Sequence, residues 1–457
     1  MGIKKIIRPI YLKLPQNIRM PLGYKKMHDF YSEAQWWSKE KILNWQLLKL
    51  KSIISYAYNN VPGYYQLYRE AHVTPREINK IQDITILPFV DKPLIRDNLK
   101  DFTSQKMPKR KMRYCTTGGS TGIPMGFYYN KMSGIVEYSF MHSAWETTGW
   151  NLNDIGVVLR GAFIGSKENY FSKIEYKRYA LSTYYLSETT YELYKRKILK
   201  IKPSFLHAYP SSAFDLASLV IQNNDIGIIK FDSIFLGSEN LYSWQIKIIS
   251  QAFPSAKIMC WYGHTERAIW APWCEHQNKY HVSPFYGFTE ILGDDDIEVN
   301  LDQTGELVGT SFWMKATPFI RYRTMDYAIK GEPKCDKCGR NHQLLESIEG
   351  RLQEIVVSKA GRRISMTSIN MHDKTFDNVS QFRFVQNKPG EILLFIVPKS
   401  TFNIQNEKNI IKTLEAKLGA DFILTLVKTD YLSRSASGKY SFLEQNIDIE
   451  HSDKVSY

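Results

Sequence analysis

The chain has 457 residues, enough for two or three domains. With 43% hydrophobic and 23% charged residues its composition is globular and excludes a disordered chain, and five cysteines exclude a disulfide framework and fit a reducing, cytoplasmic setting. Sixty Lys and Arg against 46 Asp and Glu leave a charge of +14, which favours anionic ligands. No block of like charge and no zinc-finger, RNA-recognition or basic-zipper pattern accompanies that excess, so nucleic acid is not an expected partner.

The opening stretch MGIKKIIRPIYLKLP mixes charge with apolar residues, and Pro9 interrupts it. No continuous apolar run follows its basic residues, so it does not read as a signal peptide. Ile6 breaks the myristoylation pattern that Gly2 would begin. Two readings stay open: a helix packed on the protein's own core, or a peripheral contact with the inner membrane through Ile3, Ile6, Ile7 and Ile10. No apolar run is long enough to predict a spanning helix.

The first hundred residues read as helical, and Asn59-Asn60-Val61-Pro62-Gly63 ends one run with turn residues. A Gly/Ser/Thr stretch follows, TGGSTGIP from Thr117 to Pro124, and then a helix that Gly149 stops. From 155 onward strands and helices alternate. IGVVLRG, SFLHAYP, DSIFLGSE and AKIMCWYG read as strands, and Ser211 or Ser212 is the expected cap of the helix after the second of them. This rhythm predicts a largely parallel sheet flanked by helices, with ligands at the carboxyl ends of its strands, where Gly237, Tyr262 and Gly263 fall. After 281 the pattern changes to short strands and turns. After about 350 a smaller α+β unit begins, with one helix that has Ile410, Ile411, Leu414 and Leu418 on a face and Gly419 as its stop.

Five short segments carry candidate chemistry. Thr117–Pro124 lacks the lysine of a Walker loop, yet its glycines allow backbone N–H groups to approach an anion, and Ser120 and Thr121 add hydroxyls. WYGHTERA, from Trp261 to Ala268, puts the carboxylate of Glu266 and the hydroxyl of Thr265 at a strand end. Asp326 ends an arginine-rich strand, where two arginines and an Asp read equally as a structural ion pair. Gly350-Arg351 and, in a Ser-rich loop, Gly438-Lys439 complete the series. Separately, Cys335 and Cys338 have the spacing of half a tetrahedral zinc site, with Cys274, His276 and His281 available for the other half. Cys115 and Cys260 read as small core residues.

In this order (Gly/Ser/Thr loop, GSE, YGxTE, YRTxD, GR, GK) the segments resemble the adenylate-forming superfamily of acyl-CoA ligases and adenylation domains. The closer likeness is to its phenylacetate–CoA ligase-like branch, which includes the CapK-type capsular-polysaccharide proteins. That branch shows a YP-S segment, here Tyr209-Pro210-Ser211, and a Cys-x-x-Cys-Gly-Arg knuckle. The resemblance spans about residues 50–445. It implies an α/β fold: a large N-terminal domain, 1–350, of mixed, largely parallel sheets and helices, joined by a hinge to a small mobile domain, 351–457.

It also implies roles. Ser120, Thr121 and Gly122 hold the phosphates of ATP, and Gly237, Ser238 and Glu239 border the adenine. Tyr262 and Gly263 lie beside the base, Thr265 touches the α-phosphate and Glu266 holds Mg²⁺. Asp326 binds the ribose with Arg351 nearby, and Lys439 is the catalytic cation. Tyr209, Pro210, Trp261 and His264 line the pocket of a flat or partly polar acid. The branch carries a Cys and a following His where Cys274 and His281 stand, which selects these two, with Cys335 and Cys338, for a structural Zn²⁺.

The implied reaction joins a small carboxylic acid to AMP with loss of pyrophosphate. The acyl group then passes to CoA, a carrier protein or an amine, in the setting of surface-polysaccharide synthesis. A carboxylate attacking the α-phosphate is an anion attacking an anion, which is why a metal and a positioned lysine are required. The alternative is a catalytically reduced relative that binds nucleotide as a scaffold. Three positions depart from the family pattern: Met125 stands where the loop often carries lysine, Met325 replaces the glycine of YRTGD, and Gln353-Glu354 occupy the hinge.

Overall fold

The computed structural model describes residues 12–117, 125–160, 169–183, 185–351, 355–359, 363–365, 374–376, 378–433 and 441–447. The N-terminal isoleucines, Ser120, Thr121, Gly122, the hinge pair 353–354 and Lys439 lie outside these residues.

Helices dominate the described part of the first hundred residues, as the spacing predicts. The longest, Lys39–Asn60, starts where the Ser38 hydroxyl accepts the Lys41 N–H at 3.3 Å, and it buries Ile42, Gln46, Leu50, Ile53, Ile54 and Ala57 along one stripe. It stops at Val61 because Pro62 cannot continue it and instead opens the next helix, Pro62–Glu70. Strands β1 (Met112–Thr116) and β2 (Gly126–Asn130) then form an antiparallel hairpin around the Gly/Ser/Thr stretch. The Thr117 N–H donates to the Met125 carbonyl, and the Met125 N–H to the Thr117 hydroxyl, both at 2.9 Å. Met125 itself is fully buried in the main core, so the position of the family's lysine holds an apolar anchor here.

The helix Lys131–Glu146 leads into a continuous twelve-stranded sheet with two halves. In one half, β3 (Gly156–Leu159), β5 (Arg178–Leu181), β6 (Phe205–Ala208), β7 (Ser233–Gly237) and β8 (Lys257–Gly263) run parallel in the order β5-β3-β6-β7-β8, with β4 (Phe171–Glu175) antiparallel at the edge. All five residues of β7 are buried, the signature of a strand covered on both faces. The helices Tyr191–Ile201, Pro210–Gln222 and Ser243–Ala252 connect these strands. The second of them begins at Pro210 rather than after Ser211 or Ser212, because proline is preorganised for a first helical position, and both serines lie buried inside it.

The other half is antiparallel, formed by β9 (Trp270–Cys274), β10 (Gln277–His281), β11 (Gly287–Leu292), β12 (Thr304–Ser311), β13 (Tyr322–Lys330) and β14 (Leu344–Arg351). β9 joins the halves by pairing antiparallel with both β8 and β10.

Past a short hairpin of β15 (Ile355–Val357) and β16 (Arg363–Ser365), β17 (Val379–Lys388), β18 (Glu391–Pro398), β19 (Ile423–Lys428) and β20 (Leu443–Gln445) form a separate four-stranded sheet. The helix Ile404–Leu418 buries Ile410, Leu414 and Leu418 in this unit's core, and Gly419 stops it at φ +89°. Tyr242 and Trp244, from the start of the helix Ser243–Ala252, join that second core. Trp244 meets Phe442 edge-on at 5.5 Å, and Tyr242 meets it at 5.6 Å.

Glycine at 156 is a packing requirement, since a Cβ there would strike the buried ring of Phe205 on the neighbouring strand. Gly156→Ala is expected to destabilise the fold by about 1–3 kcal/mol, read as a lower midpoint in urea unfolding.

Candidate active site

The predicted motifs converge where β7, β8 and β13 end or turn. β7 ends at Gly237, which pairs with Trp261 of β8. A Cβ at 237 would lie 2.8 Å from the Trp261 indole, so glycine lets that ring lie flat over the strand end. Ser238 follows at φ +71°, and its hydroxyl accepts an N–H of Arg160 at 2.5 Å. Arg160 also donates to His207 Nε2 at 2.7 Å and sits 4.8 Å from the Tyr209 ring. The Glu239 carboxylate accepts the Ser211 N–H at 3.0 Å, supplying the acceptor at this helix start that a serine side chain was expected to supply.

Tyr262, next to the end of β8, donates its hydroxyl proton to Asp326 Oδ2 at 2.7 Å, which ties the parallel half of the sheet to β13. Two residues further, His264 Nδ1 lies 3.1 Å from Glu266 Oε2, and the Tyr322 hydroxyl donates to Glu266 Oε1 at 2.9 Å. Burial pushes the Glu266 carboxyl up, but the hydrogen bond and charge of His264 and the bond from Tyr322 outweigh it and hold the group at about 2. Glu266 is therefore an ionised, oriented carboxylate, and each oxygen keeps a lone pair for a cation. Thr265 is exposed on the same turn. His264, expected in the acid pocket, is engaged in holding Glu266.

The two arginines near Asp326 pair elsewhere. Arg321 makes a buried bidentate pair with Glu290 at 2.8 and 3.1 Å, and Arg323 binds Glu306 at 2.8 Å and Asp296. Arg351 stands opposite Asp326 in the β13–β14 register. Met325 adopts φ +61°, the left-handed conformation that makes glycine the family residue, and its N–H is held by Glu306 Oε1 at 3.1 Å. His207 had no sequence signal, because it joins Arg160 only through the pairing of β3 with β6, whereas Tyr322 opens the YRTxD segment.

A second cluster lies in the antiparallel half. The ligand atoms of Cys274, His281, Cys335 and Cys338 all fall within 4.8 Å of one another. Cys274 and Cys335 sulfurs are 3.8 Å apart, and Cys338 Sγ is 3.5 Å from His281 Nε2. Tetrahedral zinc with Zn–S of about 2.3 Å and Zn–N of about 2.0 Å has edges of about 3.8 and 3.5 Å, so the donor set fits. His276 stays outside the set and offers only its backbone N–H, to Cys274 Sγ at 3.4 Å. Gln277 Nε2 donates to Cys335 Sγ at 3.1 Å, so both sulfurs accept hydrogen bonds as thiolates would.

Residues 356–446 match a family model described as the CapK C-terminal domain. Protein CapK of Staphylococcus aureus is 23% identical over 399 residues, covering 81% of each chain. Phenylacetate-coenzyme A ligase of Thermus thermophilus is 23% identical over 354 residues, covering 72% of this chain and 74% of that one. The crystal structure of 2-hydroxyisobutyryl-CoA ligase, in the postadenylation state with an acyl-AMP, superposes with a TM-score of 0.70 at 17% identity, covering 90% of each chain.

The strain at position 325 is open to test. Met325→Gly is expected to raise stability by about 0.5–1 kcal/mol, seen as a higher urea midpoint, because the left-handed conformation no longer opposes a Cβ.

Proposed function

We propose that this chain, a relative of CapK and phenylacetate–CoA ligase built on the adenylate-forming ligase fold, activates a carboxylic acid with ATP as acyl-AMP, releases pyrophosphate and passes the acyl group to an acceptor. CoA is the acceptor that the phenylacetate–CoA ligase relative favours. The capsule-type resemblance favours a role in surface-polysaccharide decoration. Among the described residues no helix is long and apolar enough to cross a membrane.

The observation that carries this reading is the meeting of three distant segments at one sheet end: Gly237–Glu239, Tyr262–Glu266 and Tyr322–Asp326. Backbone and aromatic groups at 237–239 and 262 suit a flat base. Asp326, fixed by Tyr262, suits a pair of ribose hydroxyls. Glu266 would hold Mg²⁺, which when bound supplies positive charge to the phosphates. His264 and Tyr322 keep that carboxylate ionised and aimed, and Thr265 would donate its hydroxyl proton to a phosphate oxygen. We place Ser120, Thr121 and Gly122 at the phosphates on the strength of the family resemblance, and the Thr117–Met125 closure fixes the two ends of their segment.

The small unit has its own sheet and core, which supports a domain boundary near 350 and a hinge after β14. Lys439 belongs to this unit, and we assign it the cationic role in adenylation because Met125 removes the alternative in the loop. Rotation of this unit after adenylation would admit the acyl acceptor. Zinc is the ion that best fits Cys274, His281, Cys335 and Cys338. It would staple the β9–β10 hairpin to the segment between β13 and β14, with no open position for catalysis.

Lys439→Ala is expected to reduce carboxylate-dependent pyrophosphate exchange by at least about 100-fold, the scale of a lost transition-state charge contact, and an unchanged rate would remove the lysine from this role. Protein purified without chelator should contain one zinc per chain by atomic emission. Cys335→Ser should lose the metal and melt at a lower temperature, and a metal-free wild-type protein would overturn the assignment.

A further inference from the structure

Between the helix Lys131–Glu146 and the face of β3, β5 and β6 lies a cavity of ≈ 170 Å³. A cavity of about 150 Å³ admits benzene, so this one accepts a six-membered ring or a chain of similar bulk. Met141, Trp145, Val158, Ile174 and Phe205 give it apolar walls, into which Gln16, Tyr138, His142, Glu175, Arg178 and His207 set polar groups.

Arg178 is 5% exposed, and its guanidinium lies 4.6 Å from the Phe205 ring centre. It donates to the Gln16 side-chain oxygen at 3.0 Å and to the carbonyls of Leu152 at 3.0 Å, Lys177 at 3.2 Å and Asp154. All of these acceptors are neutral. Glu175, in the same wall, is bound by Gln16 and by Arg19, each at 2.8 Å. The carboxylates of Glu175 and Asp154 both act on Arg178 and offset it and Arg19, so this wall is polar without an excess of charge.

His207 accepts a guanidinium N–H of Arg160 at Nε2, so its own ring proton sits on Nδ1 and remains a donor. His142 is bonded through Nδ1 to the Tyr24 hydroxyl at 2.9 Å, and burial, aided by the charge of Arg178, lowers it to about 3. The cavity also backs onto the strand ends described above. The His207 ring is 5.7 Å from that of Trp261, and the Arg160 that holds His207 also holds Ser238.

We propose that the acid activated by this protein carries oxygen acceptors, hydroxyls or a second carboxylate, at the end remote from its reacting carboxylate, and that Arg178, His142 and His207 hold this end in the cavity. The inference rests on the acid-activating reading and adds the substrate class to it. A plain aryl or alkyl group would displace water from buried donors and leave them unpaired, and sites built to bond a substrate oxygen discriminate strongly against analogues that lack it.

The test is pyrophosphate exchange by the full-length protein with matched pairs: phenylacetate against 4-hydroxyphenylacetate, and hexanoate against adipate, within a wider panel of aryl, fatty, hydroxy and dicarboxylic acids. Oxygen-bearing acids should show kcat/KM at least about 30-fold above their apolar counterparts. A preference within the first pair alone identifies hydroxyl recognition, and within the second pair alone, a second carboxylate. His142→Phe should narrow the gap by raising KM for the polar acids without raising KM for ATP. Arg178→Gln, checked for folding by circular dichroism, should do the same. Equal or faster exchange with the apolar acids overturns this inference and leaves the acid-activating reading standing. Exchange with no acid at all overturns both.

Discussion

The hydrogen bond from the Tyr262 hydroxyl to Asp326 spans the seam on which the rest of the site depends. The sheet is parallel on one side of β8 and antiparallel on the other, and β9 makes the change of direction by pairing with β8 on one edge and β10 on the other. Without a tie across that seam, the strand ends that suit a base and the turn that suits a ribose would belong to separate structures. Tyr322 adds a second tie by reaching from β13 to Glu266 on the turn after β8. The two bonds turn a property of the fold, strand ends opening on one side, into a defined set of distances.

Burial then sets the electrostatics. Glu266 is buried yet ionised because two donors meet it, whereas Arg321 and Glu290 neutralise each other in the core. The nearby arginines pair with Glu290 and Glu306, while Asp326 accepts the Tyr262 hydroxyl. The same logic singles out the cavity beside β5, where a buried guanidinium meets only neutral oxygens. Buried charge that is compensated by the protein itself is structural, and polar groups that line an open volume beside such charge suit a ligand with oxygen acceptors.

The small unit and the zinc-fitting cluster illustrate two ways to attach segments without a large shared core. Tyr242 and Trp244 insert into the second core just after the Gly237–Glu239 turn, so the small unit packs beside that turn. The four cysteine and histidine side chains instead gather the β9–β10 hairpin and the segment between β13 and β14 beside a small cluster of Cys274, Cys335, Leu344 and the adjoining Cys338.

Much of this was legible in the amino-acid order. The alternation of β-rich and helical periods determined the parallel half of the sheet, because residue periodicity and turn chemistry are local properties. Glycine before Ser238, the carboxylate of Glu266 and Asp326 at a strand's turn marked the site, because each reflects a chemical requirement at a single position. The cysteine spacing likewise marked half of a metal site. The tertiary structure alone decided that Glu239 rather than a serine serves the helix at Pro210, that Arg321 and Arg323 pair with Glu290 and Glu306, and that His264 supports Glu266. It alone brought Arg178 of β5 and His207 of β6 to one cavity, and Arg160 to His207. Such partners are set by strand order and register, and these follow from the burial of the whole sheet, which no short stretch of sequence contains.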